Sequence, residues 1–284
     1  MIPLIDCHQH LMYANDVHYP WAENVPAIKG RTFTLEDYKA LTDGHGVAGT
    51  IFMEVNADSA DLKKEAAVVS KVAEEEGSGI LGLIAATRPE DPHIVDSDLE
   101  IADSLGVVGF RRVLHVVEDS VSQTDTFRQS VKKIGKASKT FDMVFKAHQL
   151  PVAYDLAAAC DETVLMLDHC GFPDVAAGAI DPWREDTRRL AALPNVWCKL
   201  SGILTNTNPG EATYETIRPY IDHLLEVFGP ARMVWGSDWP VVNVKADLPT
   251  WLGITREILN GLSEDEASSI ANGNAKTVYG VSLA

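Results

Sequence analysis

The amino-acid sequence predicts an α/β protein with the architecture of a (β/α)8 TIM barrel, and three observations lead to this fold class. Short apolar runs rich in β-branched residues recur along the chain, stretches with helical periodicity separate them, and eight such runs fit within 284 residues. Near-continuous apolar runs are typical of parallel strands that are buried on both faces. An open doubly wound sheet usually has fewer strands, so eight β/α units favour the closed barrel.

The elements follow one another in strict alternation. The predicted strands span residues 4–11, 47–55, 80–87, 107–114, 141–148, 163–171, 195–202 and 232–240. Capping-box spacings at Thr34/Asp37 and Ser263/Glu266 predict two helix starts. Further helices are predicted over residues 59–77, 96–106, 149–160 and 211–229. No linker or low-complexity tract divides the chain, which predicts a single domain over residues 1–284.

Composition excludes several classes of partner. A formal net charge of −17 repels phosphate backbones and anionic lipids, so we expect neither a nucleic-acid nor a membrane partner. No apolar run approaches the roughly 18 residues of a membrane span, and the N-terminus lacks the pattern of a signal peptide. We therefore expect a cytoplasmic protein with reduced cysteines and a small-molecule substrate. A homo-oligomer is compatible with the sequence.

Reactive side chains gather at the carboxyl ends of the predicted strands, where TIM barrels carry their active sites. They are His8, His10, Arg111, Arg112, His148, His169, Lys199, Ser201 and Asp238. Histidines two residues apart on a strand point the same way, so the first two can converge on one ligand or metal ion. This placement predicts an active site at that end of the barrel.

Five motifs resemble one known family when they are taken in order. DCHQH, LDHCG, KLSG, GSDWP and NGNAKTVYG resemble the amidohydrolase superfamily, specifically the branch that holds sugar-acid lactonases and 2-pyrone-4,6-dicarboxylate lactonase. The resemblance extends from Ile5 to Gly280. It implies an amidohydrolase-like (β/α)8 barrel and a hydrolase of carboxylic esters or lactones, in agreement with the strand count.

The resemblance also implies roles for individual residues. The implied metal ligands are His8, His10, His148 and Asp238. Asp238 is further expected to act on the hydrolytic water, His169 to be catalytic, and Arg111 to recognise substrate. The lysine or glutamate that bridges two metals in binuclear relatives has no counterpart, because the fourth strand offers only arginines, and a binuclear site is therefore disfavoured.

The cofactor prediction is one divalent metal ion, preferably zinc. Imidazoles and a carboxylate with an open position for water make up a catalytic zinc site, and manganese would also be tolerated. The alternative is no metal at all, because the resemblance includes lactonases in which the same histidines donate hydrogen bonds to the carbonyl group.

Substrate-binding residues are predicted with alternatives. Arg111 and Arg112 are adjacent, so only one can enter the barrel, and the family motif favours Arg111. Lys199 can reach substrate or form a buried ion pair. Trp21 and Trp239 lie in loops beyond strand ends, where they can stack on a sugar ring. Asp168 directly precedes His169, so we expect it to face away from the site in a structural role.

These residues predict an enzyme that opens the lactone ring of a small sugar acid or related carboxylated lactone. Asp238 would take a proton from water and return it to the leaving oxygen, while a metal ion or the histidine cluster stabilises the oxyanion. Two alternatives stay open. One is metal-dependent decarboxylation of a small unsaturated or aromatic acid on the same barrel. The other is a non-catalytic barrel that binds a sugar derivative, although the retained acid, base and ligand positions argue against it.

Overall fold

Eight parallel strands form one sheet in the order β1 to β8 in the computed structural model, which describes residues 1–283. The strands are β1 Leu4–Gln9, β2 Val47–Met53, β3 Ile80–Ala86, β4 Val107–Val113, β5 Thr140–Val144, β6 Leu165–Leu167, β7 Val196–Leu200 and β8 Met233–Trp235. Backbone hydrogen bonds join the last strand region to the first: the Asp238 N–H donates to the His8 carbonyl at 2.9 Å and the His10 N–H to the Trp239 carbonyl at 2.8 Å. The sheet is thus a nearly closed barrel, and the predicted fold class is confirmed.

Helices connect successive strands and cover the outside of the barrel. They are α1 Leu35–Thr42, α2 Leu62–Ala73, α3 Pro92–Ala102, α4 Ser120–Gln123, α5 Asp125–Lys136, α6 Leu150–Ala159, α7 Trp183–Ala191, α8 Tyr214–Phe228, α9 Leu248–Asn260, α10 Glu264–Ser268 and α11 Asn274–Tyr279. Both predicted capping boxes form, at Thr34 and at Ser263. A π-helical turn over Ser269–Gly273 divides the predicted last helix into α10 and α11. Among the described residues, no helix has the length and apolar character that crossing a bilayer requires.

Side chains alternate along each strand between two apolar layers. One set, such as Leu4 and Phe52, packs against the helices, while the other, such as Ile5 and Ile51, faces the barrel interior. Tyr279 at the end of α11 belongs to the interior cluster. An exception is β1, whose pairing with β2 shifts register between Asp6 and Gln9, so that His8 reaches the interior although Ile5 and Cys7 also face it.

Most strands end earlier than the apolar runs predict, which places the reactive residues on turns. β5, β6 and β8 stop before His148, His169 and Asp238, respectively. His169 and Asp238 adopt positive φ values of 53° and 56°, a conformation that is uncommon outside glycine. Such outliers are concentrated at functional sites, where the surrounding structure holds them in place.

Candidate active site

Three histidines surround one carboxylate at the carboxyl end of the barrel. Asp238 Oδ1 lies 3.7 Å from His8 Nε2 and 3.5 Å from His10 Nε2, and Asp238 Oδ2 lies 3.8 Å from His169 Nδ1. All four side chains are buried. The structure thus brings together four of the residues that sequence analysis assigns to the site, although they come from the turns or ends of three strands.

Two glycines make this close approach possible. A Cβ atom at Gly202, which has a φ of 63°, would overlap the His169 ring, and a Cβ atom at Gly236 would lie 2.5 Å from the Cβ of His8. Both glycines belong to motifs, KLSG and GSDWP, that the sequence analysis singles out. Because these two residues have no side chain, there is room for His169 and His8.

A backbone carbonyl fixes the orientation of His10. The Nδ1 atom of His10 donates to the Met53 carbonyl oxygen at 2.8 Å, which directs the Nε2 atom toward Asp238 and leaves the lone pair of the neutral imidazole on Nε2. Histidine ligands of metal ions are commonly held in this way, with the other ring nitrogen bound to a carbonyl or carboxylate. His10 is therefore prepared to act as a ligand through Nε2.

His8 has the same tautomer for a different reason. Arg111 Nη1 lies 3.2 Å from His8 Nε2, and since a guanidinium can only donate, Nε2 accepts. The Nδ1 atom then carries the proton and faces Asp168 Oδ1 at 3.5 Å. Burial lowers the pKa of His8 well below its usual value, against the opposing influence of Asp168, so the ring is neutral.

These donors fit a single divalent ion. His8, His10 and Asp238 each offer one ligand atom within 4.8 Å of the others. Zinc–ligand bonds of about 2.0–2.1 Å in a tetrahedron correspond to neighbouring ligands roughly 3.4 Å apart. The distances from Asp238 Oδ1 to the two imidazoles, 3.5 and 3.7 Å, are close to this value. The lone pair of His8 Nε2 that accepts from Arg111 in this structure is the one that such an ion would use.

His148 does not belong to this ligand set, and the prediction that it does is wrong. The residue is exposed, in the short turn Ala147–Gln149 after β5, and lines a separate cavity of about 420 Å³. The chain leaves the barrel at Val144, so four further residues carry the imidazole outward. His115, which the sequence analysis does not select, lies closer to the reactive cluster because it follows the end of β4 by only two residues.

A cavity of about 180 Å³ opens beside the cluster. Its walls combine polar groups of the site with apolar side chains. They are His10, Trp21, Val55, Asn56, Arg111, Val113, His115, Val116, Val144, His169, Phe172, Thr205, Asp238 and Val241. Trp21 lies in the wall as expected of a substrate-binding residue, with its indole N–H donating to the Val55 carbonyl at 2.7 Å. The apolar walls favour a small ring with few polar substituents on its buried face.

Arg111 faces the interior, as the favoured alternative requires, whereas Arg112 points away from the three histidines and pairs with Glu90 in the loop after β3. The donors of Arg111 are occupied: Nε donates to Glu54 Oε1 at 2.6 Å, and Nη1 lies 3.4 Å from Asp168 Oδ2 as well as close to His8. Glu54, which directly follows β2, is a site residue that the sequence analysis does not identify. The internal pairing makes Arg111 part of the framework of the site.

Lys199 is not a substrate ligand in this structure. It is fully buried, forms ion pairs with Asp142 and, at 3.0 Å, with Asp168, and does not line the 180 Å³ cavity. Burial disfavours the charged form of Lys199, but the two carboxylates have the larger effect, and the pKa of Lys199 is raised. The alternative of a buried ion pair is therefore correct, and the prediction of a substrate contact is wrong.

Asp168 and Trp239 also differ from expectation. Asp168 faces the interior, where it contacts His8, Arg111 and Lys199, because it lies two residues after Met166 of the interior cluster; the positive φ of His169 then turns His169 toward the same site. Lys199 and His8 hold the pKa of Asp168 well below its usual value despite burial. Trp239 is only 1% exposed and packs edge-on against Phe33 and Tyr38, so the prediction that it stacks on substrate is wrong.

Comparison with known proteins agrees with this geometry. A family model described as amidohydrolase matches residues 5–281. The chain belongs to the amidohydrolase family. This membership confirms the predicted family and the predicted hydrolase class.

Several relatives of this amidohydrolase have named activities or solved structures. It is 28% identical to an L-fucono-1,5-lactonase of Burkholderia multivorans, over 97% of this chain and 95% of the relative. It is 29% identical to a 4-sulfomuconolactone hydrolase of Rhizobium radiobacter, over 83% of this chain and 75% of the relative. The crystal structure of a Burkholderia multivorans amidohydrolase with bound zinc superimposes with a TM-score of 0.89 at 27% identity and covers 99% of this chain and 100% of that chain.

Proposed function

We propose that this amidohydrolase-family protein hydrolyses the lactone of a small acid, with a sugar-acid or related carboxylated lactone as the substrate class. The observation that carries the proposal is Asp238, whose carboxylate lies within 3.8 Å of three imidazoles at the edge of a cavity. The similarity of the chain to an L-fucono-1,5-lactonase and a 4-sulfomuconolactone hydrolase supports the choice of a lactone as substrate.

Asp238 performs the proton transfers in this proposal. As water attacks the lactone carbonyl carbon, Asp238 accepts the proton that the water loses. The bond between the carbonyl carbon and the ring oxygen then breaks, and Asp238 returns the proton to the departing alkoxide. The product is a hydroxy acid, which ionises at neutral pH and releases a proton into solution.

His169 stabilises the oxyanion that forms on the carbonyl oxygen. Burial lowers the pKa of His169, so the ring is neutral and keeps one N–H group. The Ser201 hydroxyl lies 3.2 Å from His169 Nδ1 and can donate to it, which leaves the N–H on Nε2. His169 lines the cavity, so this N–H is available to the substrate oxygen.

His8, His10 and Asp238 would hold one divalent ion, for which we propose zinc. When bound, such an ion polarises the substrate carbonyl and increases the acidity of the attacking water. The protein's own contribution is to orient both histidine Nε2 atoms through the Met53 carbonyl and Asp168. The zinc in the structure of the Burkholderia multivorans relative supports this choice of ion.

The test combines metal content with substrate turnover. Purified protein would be analysed for bound metals and then assayed against a panel of sugar-acid lactones by acid release, before and after chelation. We expect about one zinc ion per chain and acid release that is lost on chelation and restored by zinc. Acid release that survives complete metal removal would contradict the metal, and no hydrolysis of any lactone would contradict the proposed activity.

Metal-dependent decarboxylation of a small unsaturated or aromatic acid remains the second candidate. The same imidazoles and carboxylate would be used, so the geometry of the cluster does not separate the two reactions. The products do, because decarboxylation releases CO2 whereas lactone opening releases acid without it. A panel of carboxylic acids assayed for CO2 completes the test.

A further inference from the structure

A second cavity lies next to the reactive pocket. It has a volume of about 340 Å³ and shares Trp21 and Asn56 with the pocket at Asp238. Its other lining residues include Arg88 and Arg112, which lie just after β3 and within β4, respectively. Trp21 and Asn56 thus lie between the two cavities, and a substrate that extended beyond these two residues would approach the guanidinium groups of Arg88 and Arg112.

Most N–H groups of the Arg88 side chain have no hydrogen-bond partner among the described residues and could bind an anion. Its only hydrogen bond among residues 1–283 runs from Nη1 to the carbonyl of the adjacent Thr87 at 2.9 Å, and it forms no ion pair with the described carboxylates. Arg112 is paired, but both of its bonds, at 3.1 and 2.8 Å, go to a single oxygen of Glu90. Each guanidinium group therefore keeps N–H groups that can donate to a further acceptor.

The surroundings favour an anion between the two arginines. Burial and the charge of Arg112 lower the pKa of Arg88, against the opposing charges of Glu54, Glu90 and Asp98, and the two arginines line the same cavity. Among the described residues, Asp58 is the one carboxylate that lines the cavity; it accepts from the Ala60 N–H at 3.0 Å, lies 3.9 Å from His18 and forms no ion pair with either arginine, so Glu90 alone is paired with the two guanidinium groups. A carboxylate matches the planar geometry of guanidinium donors.

We propose that Arg88 and Arg112 form an outer anion subsite that binds a carboxylate group of the substrate while the lactone carbonyl lies at Asp238. The inference rests on the proposed lactone hydrolysis and narrows it to lactones with a negatively charged substituent. Arg111 cannot perform this task in the same way, because Glu54, Asp168 and His8 already accept its donors.

Direct binding tests the subsite without any turnover. Glutarate serves as the probe, and its binding is measured by ligand-observed NMR with wild-type protein, Arg88→Gln, Arg112→Gln and Arg218→Gln. Arg218 is exposed on α8 and pairs with Asp222, which makes it a matched control. We expect glutarate binding to weaken about tenfold in the first two variants and to stay unchanged in the control. Equal binding by all four proteins, or none in wild type, would overturn the subsite.

Turnover then tests the link to the proposed function. Each carboxylated lactone is compared with its neutral methylamide, and the ratio of their kcat/KM values is the readout. We expect Arg88→Gln to lower this ratio about tenfold, mainly through KM for the carboxylated lactone. An unchanged ratio overturns the proposal that the subsite serves the substrate. If no lactone is hydrolysed at all, the proposed function fails while the glutarate result still decides whether the anion subsite exists.

Discussion

His8 Nε2 and Arg111 Nη1 meet at 3.2 Å inside the barrel, so a permanent cation uses the lone pair that a metal ion would also need. Arg111 is held from the other side by Glu54, whose Oε1 accepts from Nε at 2.6 Å. The guanidinium therefore occupies a position where binuclear relatives of the superfamily would need a bridging anion on the fourth strand. One ion held by His8, His10 and Asp238 would displace the Arg111 hydrogen bond from His8 Nε2, and a second ion beside Arg111 would in addition face the guanidinium charge.

The Asp238→Asn substitution tests the proton transfers. The amide keeps the size of the side chain and the backbone hydrogen bond to the His8 carbonyl, so we expect the fold to persist. It cannot accept a proton from water, and kcat for lactone hydrolysis should fall about 10³-fold. Steady-state kinetics and thermal unfolding measure both effects, with the exposed Asp222→Asn as control. Activity within a few-fold of wild type would remove Asp238 from its role as the base.

Metal removal tests whether the three residues that the structure brings together, His8, His10 and Asp238, hold the ion without His148. His10→Ala removes a ligand and should abolish stoichiometric metal binding, whereas His148→Ala should keep it, because His148 is exposed and outside the cluster. An ion at about 100 times its Kd stabilises a protein by roughly 2.7 kcal/mol, so a chelator should lower the Tm of wild type and of His148→Ala but not of His10→Ala. Elemental analysis provides the stoichiometry. Loss of metal from His148→Ala would restore the original assignment.

The fold could be predicted from the sequence because strands in a parallel barrel are defined locally. Each apolar run has to be buried on both faces, so its composition alone marks it. The helices α5, α7 and α9 were harder to recognise. In α7, five of nine residues are charged, and only Trp183, Thr187, Leu190 and Ala191 turn toward the protein. Their spacing is helical, but few of them are strongly apolar.

The candidate site was predictable only as far as motifs and strand ends define it. His8, His10, His169 and Asp238 are close to strand ends, and they meet. Whether His115 or His148 approaches the cluster depends on the number of residues between the end of the strand and the histidine. His115 follows β4 by two residues, whereas His148 follows β5 by four. The ion pair of Lys199 with Asp142 joins residues 57 positions apart on different strands, and no local pattern contains that information.

His115 gives the protein a specific sensitivity to acid. Burial and the nearby charges of Lys146 and Arg111 lower its pKa to about 4, and no described group hydrogen-bonds its Nδ1 atom. The unfolded chain binds the proton near pH 6.5, so the neutral ring in the folded state costs nothing above that pH, and stability is lost as the pH falls from 6.5 toward 4.

The matched variant for this effect is His115→Gln, which cannot be protonated. We expect the free energy of unfolding of wild type to fall relative to that of the variant by about 2–3 kcal/mol between pH 7 and pH 4. Urea unfolding at a series of pH values measures the difference, which cancels the contributions of buried acids such as Asp6, whose pKa is raised by burial. Parallel pH dependences of the two proteins would show that His115 is protonated as readily in the fold as in the unfolded chain.

Lys199 is expected to stabilise the fold and to affect catalysis only through its neighbours. Lys199→Met leaves the buried Asp142 without an ion-pair partner, whereas Asp168 keeps Arg111. Removal of one partner of a buried ion pair costs about 3–5 kcal/mol, so the urea midpoint should shift strongly. The double variant Lys199→Met/Asp142→Leu also removes the carboxylate that has lost its partner and should recover part of that loss. If the double variant is no more stable than the single one, the unpaired charge on Asp142 is not the cause, and the loss of packing around the lysine stem would account for the effect instead.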